Sequence, residues 1–165
     1  MSTLRRIGVT EDAILGVQGN LASTYSKLGR YEEALRLRRV VYSGTLRLSS
    51  EESDETLREA GNYANLLNQV KRFGEVKTLM CKTLPVARRV LSESNELTLK
   101  MRWNYAMALC MDDAATLDDF REAVTTLEDV ASIARRVLGS ANPLTRWIEE
   151  GLRNARAALR AAEQS

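Results

Sequence analysis

Asn20-Leu21-Ala22, Asn62-Tyr63-Ala64 and Asn104-Tyr105-Ala106 are copies of one tripeptide, with the asparagines 42 residues apart each time. A fixed period of this size implies stacked supersecondary units rather than one globular core, because each unit can bury its apolar face only against its neighbours. A second anchor keeps the register. Gly29-Arg30-Tyr31-Glu32-Glu33-Ala34 returns as Lys71-Arg72-Phe73-Gly74-Glu75-Val76, and again around Phe120-Arg121-Glu122-Ala123, now 47 residues on. The third unit therefore carries five extra residues between Asn104 and Phe120. A third anchor closes the units: Ala87-Arg88-Arg89-Val90-Leu91 recurs as Ala134-Arg135-Arg136-Val137-Leu138, with Thr45-Leu46-Arg47-Leu48 as a weaker first copy.

Apolar spacing within each unit has the period of a helix pair. It predicts helices near 11–28, 31–48, 54–70, 73–91, 96–111, 117–138 and 143–162. Ser53, Asn95 and Asn142 stand where an N-cap acceptor is needed, the last followed by Pro143 at a favoured first-turn position. Gly29 and Gly74 mark turns. Pro85 removes a backbone donor and crowds the Cys81 carbonyl, and Gly44 lies near the equivalent place in unit one, so a kink or break is expected at both. The result is one repeat domain over 1–165: units at about 10–50, 51–92 and 93–139, then a capping helix at about 140–163. Its apolar face would be Leu144, Ile148, Leu152, Ala155, Leu159 and Ala162.

These motifs resemble tetratricopeptide repeats of the kinesin light chain type, whose units run close to 42 residues. The resemblance rests on the Asn-Leu-Ala or Asn-Tyr-Ala signature, Gly-Arg-Tyr-Glu-Glu-Ala, and the Ala-Arg-Arg-Val-Leu ending followed by Gly139-Ser140-Ala141-Asn142-Pro143-Leu144-Thr145. It implies an all-α, tetratricopeptide-type α-solenoid that binds a peptide or short helix of a partner protein in its concave groove. Gly74 and Val76 depart from the pattern in unit two, as does the insertion in unit three.

The residue chemistry agrees with a binding role. There is no histidine, which removes the commonest general base, and two cysteines alone make no metal site. Adjacent carboxylates such as Glu32-Glu33 and Glu51-Glu52 point different ways on a helix, so no shared acid–base pair arises. The reading is therefore of a non-enzyme without cofactors. Cys81 and Cys110, in apolar stretches, read as small buried hydrophobes of a reducing, cytoplasmic compartment. With 24 basic against 22 acidic residues, the net charge of +2 is dispersed, giving no nucleic-acid track. Arg38-Arg39, Arg88-Arg89 and Arg135-Arg136 read as a solvated convex face with aliphatic stems over the core. Nothing approaches the ~20 apolar residues of a membrane span.

Candidate groove residues are the asparagines in register, Asn20, Asn62 and Asn104, with Arg58 and Lys100 one turn earlier and Asn65 one turn later. An amide can donate to and accept from a peptide backbone at once, and it can equally satisfy bonds between helices. Both readings stand for these residues. Arg58 and Lys100 beside asparagine resemble the pairing with which some tetratricopeptide domains hold an acidic or C-terminal peptide. Trp103 and Trp147 do not repeat, and are either exposed anchors or packing between unit three and the last helix. The aspartates 112, 113, 118 and 119 lack a calcium-loop pattern and suit loop solvation and capping. Leu4-Arg5-Arg6-Ile7-Gly8 looks like the tail of a preceding unit, so exposed repeat ends offer a route to a homo-oligomer or to a structural segment that binds no free peptide.

Overall fold

A computed structural model describes residues 10–164. Among them are seven helices: α1 (Glu11–Lys27), α2 (Tyr31–Leu48), α3 (Asp54–Gln69), α4 (Phe73–Leu91), α5 (Glu96–Met111), α6 (Leu117–Leu138) and α7 (Pro143–Ala162). Each packs on the next in sequence, and α3, α5 and α7 also adjoin along one side. The chain is thus an all-α solenoid of three helix pairs closed by α7. The tail expected at Leu4 to Gly8 lies outside the described residues.

Local chemistry sets the helix starts. The side chains of Ser53, Asn95 and Asn142 accept from the backbone N–H groups of Thr56 at 3.1 Å, Leu97 at 2.8 Å and Leu144 at 2.8 Å. These bonds satisfy donors that a helix start leaves unpaired. Thr10 caps α1 in the same way, and the end of the unit-three insertion is itself a cap: Thr116 and Asp119 form a reciprocal capping box.

Two apolar clusters run through the stack. One gathers Leu57, Leu67, Phe73, Val76, Met80 and Met101; the other gathers Leu99, Leu127, Val130, Leu144 and Ile148. Burying each such side chain contributes about 1.5–3 kcal/mol, so helix packing rather than helix propensity holds the units together. The buried Leu144, Ile148 and Ala155 seat α7 as the cap on unit three.

Four expectations are corrected. The helix α4 runs unbroken through Pro85. Pro85 and Cys81 both lie on its exposed side, where water can take the carbonyl left without a partner, while Met80, Leu84 and Ala87 hold the other side in the core. The helix α2 likewise continues through Gly44, which serves packing: a Cβ there would come 2.7 Å from Leu15 Cδ2. The turn between α3 and α4 is made by Lys71, at φ 59°, and not by Gly74, which lies inside α4. Cys81 is exposed rather than buried.

Candidate functional site

The side chains of α1, α3, α5 and α7 line a run of hollows along the first helices of the units. The first, about 340 Å³, is bordered by Gly16, Asn20, Ser23, Arg38, Glu59 and Asn62. The second, about 240 Å³, lies between α3, α5 and α7 and takes in Asn62, Asn65, Lys100, Trp103, Asn104 and Trp147. A third, between α3 and the start of α5, is lined by Arg58, Asn62, Asn95, Glu96 and Lys100. Asn62 borders all three and is the hub of the face.

Hydrogen bonding differs among the asparagines. Asn20 and Asn65 are exposed, with their amides turned to the hollows. The Asn62 amide donates to Glu59 Oε1 at 3.1 Å, and Glu59 is held by Arg38 at 2.8 Å. Arg38 also donates to Ser23 Oγ at 2.6 Å, so one network ties α1, α2 and α3. Asn104 is only 4% exposed, and it accepts from Asn68 through both its carbonyl oxygen, at 3.0 Å, and its side-chain oxygen, at 3.3 Å. Asn104 therefore joins two helices at the floor of the second hollow, while Asn62 and Asn65 stand on its walls and Asn20 on the wall of the first.

The two candidate cations are not alike. Lys100 pairs with Glu96 at 2.6 Å along its own helix, an exposed pair of small worth. Arg58 is exposed and, among the described residues, has no ion-pair partner. Acidic side chains share the face: Asp54 and Glu96 line the hollow with Arg58, Glu55 the first hollow, and Glu150 the far end. The face is mixed in sign rather than cationic.

Sequence reading missed Arg38 and Glu59. Arg38 was placed on a solvated convex face, yet its side chain is 11% exposed and reaches inward past Gly19, where an added Cβ would come 3.6 Å from its Nη1. The available signal was Glu59, one turn before Asn62. Trp147 is 55% exposed at the mouth of the second hollow, and the half-buried Trp103 forms its wall against Gly151. The aspartates have ordinary duties. Asp112 accepts from Lys77 at 2.8 Å and from the Ala114 N–H at 3.1 Å, and Asp119 completes the capping box. Among the described residues no group of three or more metal-ligating side chains converges, and no helix is long and apolar enough to cross a membrane.

A family model described as Tetratricopeptide repeat matches residues 14–44, within the α1–α2 pair. No curated protein matches the chain. Two crystal structures of Podosopora anserina kinesin light chain nearly identical TPR-like repeats superpose with TM-scores of 0.76 and 0.73. Both are 20% identical in sequence, and the match covers 98% of this chain with 74% and 75% of theirs. This chain has a TPR-like repeat fold. BtubC (BKLC) from P. vanneervenii is similar at a TM-score of 0.58 and 16% identity, covering 93% of this chain and 66% of that one.

Proposed function

We propose that the chain is a non-catalytic scaffold that holds an extended peptide or helical segment of a partner protein along the first-helix face. The observation that carries this reading is the unbroken run of hollows walled by the free amides of Asn20 and Asn65 around Asn62. Such groups can bond a peptide backbone without regard to its sequence. The Trp103–Trp147 hollow at the far end supplies the apolar contact that fixes register, and Arg58 is left to meet a carboxylate of the partner. A cytoplasmic setting belongs to the same reading, supported by two free thiols.

Peptides selected on the immobilised chain from a random display library provide the test. Each lost bond to a neutral amide is worth about 1 kcal/mol, so Asn62→Ala lowers the affinity of a selected peptide by about fivefold to tenfold. Arg58→Glu weakens acidic peptides more than neutral ones. Unchanged affinity in both variants would sink the placement of the site.

A further inference from the structure

The outer side of α1 carries an apolar stripe, Ala13, Val17, Leu21, Thr24 and Leu28, with Val17 67%, Leu21 40% and Leu28 66% exposed. The repeat shows what such a stripe is for. Forty-two residues after Val17 and Leu21 stand Glu59 and Tyr63. Glu59 pairs with Arg38, and Tyr63 stacks on Tyr42 with centroids 6.1 Å apart; both partners belong to α2, the second helix of the preceding unit. In the third unit the same register gives Met101, fully buried, and Tyr105, which packs against the cluster that holds Val76 and Met80 of α4. This side of a first helix is therefore a seat for another helix, and among the described residues nothing occupies it on α1. The occupant differs in kind as well. Where the second unit presents Glu59 to an arginine, α1 presents Val17, so its seat fits an apolar stripe.

We infer that two copies of this chain pair through α1, antiparallel across a two-fold axis. Joining the α1 end of one copy to the α7 end of another is disfavoured, because α7 turns out Arg146, Arg153 and Arg160, all exposed, and those charges would be desolvated against leucine and valine. The α1 stripe is complementary to itself, as a two-fold interface requires. Charge then selects the direction. Asp12 opens the helix and Lys27 ends it, both exposed, whereas Glu11 and Arg30 are already paired with Arg47 and Glu33 of the same chain. Antiparallel pairing sets the acidic end of each copy against the basic end of the other and opposes the helix dipoles; parallel pairing sets like against like. The dimer would carry two first-helix faces, so a partner with two binding segments gains avidity.

Sedimentation velocity on the full chain over a concentration series tests the pairing. The expected result is a concentration-dependent shift from the mass of one chain to that of two. Leu21→Glu and Val17→Glu abolish the shift while leaving the helical circular dichroism and, at concentrations where the parent chain is a monomer, the thermal midpoint unchanged, since both side chains face outward. Val137→Glu, at an exposed apolar position on α6, leaves it intact. Asp12→Lys weakens the dimer, and adding Lys27→Asp restores it. A chain that stays monomeric throughout, or a dimer indifferent to Leu21→Glu, overturns the pairing; failure of the double charge reversal to recover the dimer overturns its antiparallel sense. Peptide affinity on the other face is a separate readout that Leu21→Glu does not move.

Discussion

Ser92 and Gly139 hold the same backbone conformation, φ 80° and ψ 162° against φ 84° and ψ 159°. They occupy the same place in the repeat, 47 residues apart, directly after α4 and α6. This region of backbone space is essentially reserved for glycine, because a Cβ there crowds the flanking peptide groups at about 1–3 kcal/mol. Unit two therefore ends its second helix under a strain that unit three avoids. Ser92→Gly is expected to stabilise the chain by about 1 kcal/mol or more, and Gly139→Ser to destabilise it similarly. Urea unfolding with an unchanged m-value reads both. Lys71, at φ 59° where unit one has Gly29 at φ 73°, gives a second instance: Lys71→Gly is expected to gain about 1 kcal/mol.

Gly44 makes the opposite prediction. In an open helix Gly→Ala stabilises by roughly 1 kcal/mol. Here the new methyl would meet Leu15 at 2.7 and 2.8 Å, inside the α1–α2 contact. Gly44→Ala is therefore expected to cost about 1–3 kcal/mol through overpacking. Adding Leu15→Ala makes the combined loss smaller than the sum of the two single losses, because the shortened side chain vacates the space. Additive losses in a double-mutant cycle would show that the helices separate freely at this point.

Titration behaviour follows from composition and from a few carboxylates. With no histidine in the chain, stability should be level between about pH 5 and 8. The hydrogen bond from Lys77 holds the Asp112 carboxyl below the usual range, and those from the hydroxyl and N–H of Thr116 do the same for Asp119. A depressed folded pKa means that their contribution is complete above the ordinary aspartate value, about 3.9, and is lost as the pH falls through the lower folded value. Burial raises the Cys110 thiol and the Tyr42, Tyr63 and Tyr105 phenols; the bond to Glu122 adds to the rise at Tyr105. These contributions are complete below the ordinary thiol and phenol values, about 8.5 and 10, and fade as the pH rises towards the folded ones. Thermal midpoints against pH should show a plateau with both limbs falling. Asp119→Asn should lower the plateau and flatten the acid limb.

The repeat made the helices legible because three copies of one pattern fix the register, and Ser53, Asn95 and Asn142 announce where helices begin. Side-chain direction within an apolar run was harder to read. Cys81 sits between Lys82 and the core residue Met80 in α4, and one residue of rotation turns it to solvent. Pro85 signalled a break only if its helix lacked an anchored opposite side. The walls of the first-helix face were visible as asparagines in register, yet the network behind them was not, since it depends on Gly19 leaving a path for Arg38 from the second helix. Trp103 and Trp147 do not repeat, so the period was silent about them, and only the packing of α7 on α5 sets them at one hollow.

That hollow supplies a direct reporter of occupancy. The chain has two tryptophans, and both line it. Trp147 is largely solvated, whereas Trp103 is packed against Gly151 and Met107, so the solvent-sensitive part of the emission belongs to Trp147. A peptide seated there removes water from the exposed indole and should shift the emission to shorter wavelength on titration. Trp147→Phe is expected to abolish most of the shift while sparing much of the affinity. Trp147→Ala, which also removes the apolar wall, should cost about 1.4 kcal/mol of binding or more, roughly tenfold in Kd. Trp103→Phe should leave the shift in place, because the reporting ring is untouched. A peptide that binds with no change in emission, and equally well to Trp147→Ala, would have to lie outside this hollow, on the α1 side of Asn62.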